Sequence, residues 1–193
     1  MNIKKQLQDY AVDVAQRVVT SDFDMLAAIV QRLIQAKTDG KTIFTAGNGG
    51  SAATASHMCN DLVKGCRVND REGLRAVCLA DSNAIVTCLA NDFSYEDIFS
   101  IQLKTFAIKG DVLVVFSGSG NSPNIIAALK TAREMGVDTI GFSGRDGGKM
   151  KDMCDLLLIA PTNSMEQLED MHMLYEHAMI CSIKDMLTKM QVP

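Results

Sequence analysis

No tryptophan occurs in the 193 residues and aromatic side chains make up only 5% of them. The core must therefore rest on aliphatic side chains and methionine, of which there are 12, many near the C-terminus; a methionine-rich terminal helix reads as core or subunit interface. No apolar run approaches a bilayer span, which argues against a membrane protein. The opening Met1-Asn2-Ile3-Lys4-Lys5-Gln6 leads into an amphipathic pattern, unlike a secretory signal, so a cytoplasmic location is expected. There is no basic stripe: Lys4-Lys5 and Lys149–Lys151 are short, and the net charge of -4 argues against a nucleic-acid surface. No C-x-x-C pair occurs among Cys59, Cys66, Cys78, Cys88, Cys154 and Cys181, which are expected to be buried free thiols of a reducing compartment. A chain of this length is most simply one domain with a substantial core.

The chain opens with helical periodicity from about residue 5 to 36, interrupted at Ser21-Asp22 by an N-cap signal. After Asp39-Gly40, strand-like runs at 42–46, 74–79, 111–116, 138–142 and 155–159 alternate with helical patterns at about 51–64, 82–90, 95–107, 122–135 and 147–153. A last helix is expected from about Ser164 to Leu187. Such alternation implies right-handed crossovers and a parallel sheet covered on both faces. The expected fold is thus α/β, a five-stranded parallel sheet in a flavodoxin-like three-layer arrangement, with a helical part over 1–38 and the α/β core plus terminal helix over 39–193.

Two loops stand out, Gly47-Asn48-Gly49-Gly50-Ser51 and Ser117-Gly118-Ser119-Gly120-Asn121-Ser122. Each follows an apolar run and leads into a helical pattern. Strand, glycine turn and helix N-terminus together aim amides and hydroxyls at one point, which suits an anion. Ligands of such sheets bind beyond the carboxyl ends of the strands, where both loops fall. Neither loop is G-x-G-x-x-G and no G-x-x-x-x-G-K-[ST] occurs, so dinucleotide binding and nucleotide triphosphate hydrolysis are not expected. Plain strand-to-helix turns would need glycine too, but two serine-rich loops in one small domain point to a pocket for a phosphorylated small molecule.

Only three histidines are present, and spacing groups them with carboxylates. His57 and Asp61 are four apart, on one face of the helix after the first loop. On the last helix Glu169, His172, Glu176 and His177 lie within little more than two turns; His172 shares a face with Glu176, and Glu169 and His177 still point broadly the same way.

These residues, with Asn91-Asp92-Phe93, Gly110-Asp111-Val112-Leu113 and Gly144-Arg145-Asp146-Gly147-Gly148-Lys149-Met150, resemble the sugar isomerase (SIS) domain family over nearly the whole chain. The likeness is to its phosphoheptose isomerase branch. It implies that Ser51, Ser117, Ser119 and Ser122 hold a sugar phosphate together with Gly49, Gly50 and Gly118, the last standing where many members have threonine. Asn48, Asn91 and Asp92 match positions around the sugar. His177 falls at the catalytic histidine, and His57, Asp61, Glu169 and His177 fall at positions that bind zinc in some members. His172 receives no role. Glu169 replaces a usual glutamine, and Asp61 replaces a catalytic glutamate, shortening that carboxylate by one methylene. The family also implies homotetramers with active sites shared between subunits.

The expected chemistry is aldose–ketose isomerisation of sedoheptulose 7-phosphate through an enediol(ate), with Asp61 and His177 as acid–base pair and Zn²⁺ as the implied metal. No nucleotide or redox cofactor is implied. Two other classes stay open: a phosphosugar-binding or regulatory module without turnover, and an isomerase of a different phosphosugar.

Overall fold

The computed structural model describes residues 2–190. Two helices come first, α1 (Ile3–Val18) and α2 (Phe23–Thr38). The side chain of Asn2 accepts a hydrogen bond from the Lys5 amide at 3.1 Å, and that of Asp22 accepts one from the Met25 amide at 2.8 Å. Each side chain thereby satisfies an amide that the first helical turn leaves unpaired, which is why the helical stretch breaks in two at Ser21-Asp22. Beyond them the chain alternates: β1 (Ile43–Gly47), α3 (Gly50–Asn60), β2 (Ala76–Cys78), α4 (Asn83–Asp92), α5 (Ser100–Phe106), β3 (Val112–Ser117), α6 (Pro123–Met135), β4 (Asp138–Gly144), β5 (Leu156–Ala160) and α7 (Met165–Lys189).

All strand pairs are parallel, in the order β2-β1-β3-β4-β5. This is the flavodoxin-like order, whose switch point lies between β1 and β3. Successive residues of β3 alternate between two apolar layers. Val112, Val114 and Phe116 join the layer made with α2, α3 and α7, while Leu113 and Val115 join the one made with α5 and α6. The strand residues of β1 and β3 are all buried, as expected of central strands covered on both faces.

Several local expectations shift. The helix expected over 51–64 ends at Asn60 and continues as a π turn, Asp61–Gly65, closed by the Cys66 amide donating to the Asp61 carbonyl at 2.9 Å. The helix expected at 95–107 divides into a 3₁₀ turn, Tyr95–Asp97, and α5, and that at 147–153 is a 3₁₀ turn, Gly148–Asp152. The strand expected over 74–79 pairs only at 76–78, at the sheet's edge. All six cysteines are free, but Cys88 and Cys181 are exposed, not buried as expected, because each lies on the outer side of a surface helix. Burial pushes the thiols of Cys66 and Cys78 up to about 11. Among the described residues no helix is long and apolar enough to cross a membrane.

His172 pins α7 to the sheet. It is 1% exposed, and its Nε2–H donates to the Ser143 carbonyl of β4 at 3.1 Å. Its ring lies beside the stacked rings of Phe116 and Phe142, with centroids 5.9 and 6.1 Å away. Burial among these groups pushes its pKa down to about 4. The folded state therefore holds it neutral while the unfolded chain protonates it below its ordinary value near 6.5, so stability is lost as pH falls from about 6.5 toward about 4. The full contribution is about 3 kcal/mol. Denaturant unfolding at intervals from pH 7 to pH 4 should show this slope in the wild type and a flatter one in His172→Gln, which keeps a donor for Ser143; equal slopes would contradict it.

Candidate active site

Both glycine- and serine-rich loops lie at the carboxyl ends of adjacent central strands, β1 and β3. Between them is a cleft of about 330 Å³ lined by Asn48, Gly49, Gly50, Ser51, Phe116, Ser117, Gly118, Ser119, Ser122, Met165 and Glu169. Two helices, α3 and α6, begin at this cleft, and neither N-terminus is capped by a side-chain hydrogen bond. The first amides of α3 are left for a ligand, whereas α6 opens on Pro123, which has no N–H, and its Ile125 amide donates to Asn124 Oδ1 at 3.0 Å; both helix dipoles favour negative charge there. The Ser117 and Ser122 hydroxyls lie 3.1 Å apart, and the Ser119 hydroxyl accepts from the Asn121 amide at 3.2 Å. Hydroxyls, amides and positive helix ends at the mouth of a parallel sheet form an anion cradle.

The loops are braced from behind. Asn48 and Asn124 exchange two side-chain hydrogen bonds, 2.9 and 2.8 Å, and the Tyr95 hydroxyl donates to Asn48 Oδ1 at 3.0 Å. Gly120 turns the second loop with φ +63°, where a Cβ would stand 2.0 Å from the Gly147 carbonyl oxygen. A Cβ on Gly118 would stand 2.9 Å from Met165 Sδ and 3.3 Å from Leu168 Cδ2, so glycine here lets α7 settle over the loop. Asn91 and Asp92 are outside this cleft. They lie exposed at the end of α4, where Asn91 Nδ2 donates to Asp92 Oδ1 at 2.8 Å.

A second group of polar side chains lies farther along α3 and α7. The Nε2 atoms of His57 and His177 are 3.0 Å apart, with one donating to the other, and the rings meet edge to face at 73°. Asp61 Oδ2 lies 3.5 Å from His57 Nε2, and Glu176 Oε2 lies 3.6 Å from His177 Nε2. The four residues offer ligand atoms all within 4.8 Å of one another. A tetrahedral ion with bonds of about 2.0 Å separates its ligand atoms by about 3.3 Å, so two imidazoles and two carboxylates at these spacings fit a divalent cation of the zinc type.

The grouping differs from the sequence expectation at one position. His57, Asp61 and His177 converge, but the fourth residue is Glu176, and Glu169 is elsewhere. The carboxylate of Glu169 lies in the cleft against Gly50, where a Cβ would stand 2.3 Å from its Oε1. Glu176 is wholly buried and both of its oxygens lack a hydrogen-bond partner. Burial, and secondarily the nearby Asp61, push its pKa up to about 7. Sequence spacing pairs Glu176 with His172, yet His172 is occupied with Ser143. Tyr95 and Asn124, which hold Asn48, carried no motif that could have marked them.

A model of the SIS domain matches residues 6–144. The phosphoheptose isomerase of Aliarcobacter butzleri is 43% identical over 152 residues, covering 79% of this chain and 79% of the relative. That of Trichlorobacter lovleyi is 38% identical over 181 residues, covering 94% of this chain and 91% of the relative. Among solved structures, a phosphoheptose isomerase from Neisseria gonorrhoeae superposes with a TM-score of 0.88 at 29% identity, over 95% of this chain and 100% of that one.

The cradle depends on its tightest turn. Gly120→Ala should cost about 2 kcal/mol through backbone strain and the clash with Gly147, lowering Tm by about 4–8 °C in a chain of this size. Gly40→Ala is the control, since φ +66° there adds strain while nothing lies within 4 Å of the new Cβ. Equal losses in the two variants would show that the Gly120–Gly147 approach does not shape the loop.

Proposed function

The chain belongs to the SIS domain family, in its phosphoheptose isomerase branch, and from that premise we propose that it interconverts sedoheptulose 7-phosphate and D-glycero-D-manno-heptose 7-phosphate. The observation that carries this is the arrangement of two chemically different sites along one pair of packed helices. Ser51 and Glu169 line the anion cradle, while His57, Asp61 and His177 lie farther along the same helices. Helical rise separates Ser51 from His57 by about 9 Å and Glu169 from His177 by about 12 Å along the axes. That span suits a sugar chain held by its phosphate at one end with its carbonyl at the other.

In this reading Ser51, Ser117, Ser119 and Ser122, with the amides around Gly49, Gly50 and Gly118, bind the phosphate. Binding energy far from the reacting carbons thus positions the carbonyl end. A base removes the proton from the carbon beside the carbonyl, giving an enediol(ate), and an acid returns a proton to the neighbouring carbon. His177 and Asp61, with side chains 53% and 22% exposed, are the acid–base pair that meets the sugar. The hydrogen bond between the two histidines requires one imidazole to be a neutral acceptor, so a base is available in the group. Zinc is the proposed metal; His57, Asp61 and His177 would hold it, and its charge would stabilise the enediol(ate) oxygen beside the site. The reaction interconverts isomers, so it needs no external oxidant or reductant and no nucleotide.

We further read residues 1–193 as one SIS domain that assembles as a cytoplasmic homotetramer with active sites at subunit boundaries. Asn91 and Asp92 lie exposed outside the cleft of their own chain, next to Phe93 at 68% exposure. An apolar groove between α2 and α7, lined by Phe23, Leu26, Val30, Met179 and Met186, adds surface that association would cover. Free cysteines fit a reducing compartment.

Purified protein should convert sedoheptulose 7-phosphate to the aldose. His177→Ala should lower kcat by about 100-fold or more while leaving KM within about threefold. Ser119→Ala should chiefly raise KM. Wild-type turnover in His177→Ala would overturn the assignment, and tight phosphosugar binding without turnover by the wild type would make the protein a binding module.

A further inference from the structure

We propose that the buried carboxylate of Glu176 is a metal ligand, closing a four-donor protein site with His57, Asp61 and His177 that takes a zinc-type divalent cation. The inference rests on the isomerase reading for the place of the metal, but its evidence is separate. Glu176 is 0% exposed, and neither carboxylate oxygen has a hydrogen-bond partner. Buried polar groups are almost always paired, and an orphaned carboxylate calls for a specific reason. Among the described residues, the ion-pairing group within reach is His177, whose Nε2 is 3.6 Å from Oε2. Asp61, the other carboxylate nearby, only adds repulsion.

A cation removes that conflict. The contacts His57–His177, His57–Asp61 and His177–Glu176 measure 3.0, 3.5 and 3.6 Å between ligand atoms. These three of the six separations bracket the edge of about 3.3 Å that a tetrahedral zinc ion imposes, and all six lie within 4.8 Å, so the four side chains would close in on the ion. Two neutral imidazoles and two carboxylates also balance the charge of a divalent ion. The sequence neighbours Glu176 and His177 serve one site because they approach it differently: Glu176 from the packed side of α7, beside buried Tyr175 and Met179, and His177 from its open side. Glu169 is two turns back on α7, its carboxylate against Gly50 in the cleft.

The test measures Zn²⁺ binding to metal-free wild type, Glu176→Gln and Glu169→Gln by calorimetry, with Co²⁺ absorption as a second readout. The wild type should bind one ion per chain. Glu176→Gln should lose at least 30-fold in affinity and the intense visible bands of tetrahedral Co²⁺, while Glu169→Gln stays within threefold and keeps them. Glu176→Leu guards against misreading a folding defect: its metal-free form should melt at or above the wild type, because a buried unpaired carboxylate has gone, and Zn²⁺ should no longer raise its Tm. Wild-type affinity in Glu176→Gln, or no zinc binding by the wild type, would overturn the proposal. The isomerase reading fails by a different sign, absence of turnover, which these binding data do not depend on.

Discussion

The packing of α7 against α3 is the constraint on which the chemistry of this molecule depends. Each helix supplies one half of two sites, and each site is complete only where the two helices meet. At the start of α3, Gly50 and Ser51 meet Met165 and Glu169 of α7; at its end, His57 and Asp61 meet Glu176 and His177. Both helices are fixed from below. The Thr45 hydroxyl of β1 donates to the Ala55 carbonyl within α3 at 2.8 Å, and His172 fastens α7 to β4. Close approach also needs residues without side chains, since a Cβ on Gly144 would stand 1.9 Å from Leu168 Cδ1.

The resulting sites carry opposite electrostatic demands. The cleft collects amides and two positive helix ends, faced within this chain by the one carboxylate of Glu169, and a bound phosphate complements them. The histidine and carboxylate group collects negative charge, one carboxylate of it fully buried, a cost that a cation offsets. Native structures retain such imbalances where a ligand resolves them. The π turn at Asp61–Gly65 belongs to the same pattern: it widens the end of α3 where Asp61 must face His57, and such turns recur at functional sites.

The parts of this arrangement governed by local rules were legible in the sequence. Glycine and serine runs after apolar strands marked the two loops, and the four-residue spacing of His57 and Asp61 marked one half of the histidine group. What was not legible depends on tertiary depth. Glu169 and His177 differ in direction by only about 80° on a helix, so spacing alone joins them, but about 12 Å of rise separates the two. Glu176 and His177 differ by about 100°, so spacing separates them, yet burial of one and exposure of the other bring their tips together. Asn91 and Asp92 illustrate the same limit. Their motif fits the family, but the cleft they were expected to line is formed within this chain by other residues.

The central claim is that this site moves a proton between adjacent carbons of a phosphorylated ketose. Proton NMR of sedoheptulose 7-phosphate incubated with the protein in D₂O tests it most directly, because a base as exposed as His177 exchanges its proton with solvent. The account predicts that the aldose product carries deuterium at the carbon next to the carbonyl, with the rest of the sugar unlabelled. A product formed with no deuterium at that carbon would indicate direct hydride transfer and contradict the acid–base mechanism.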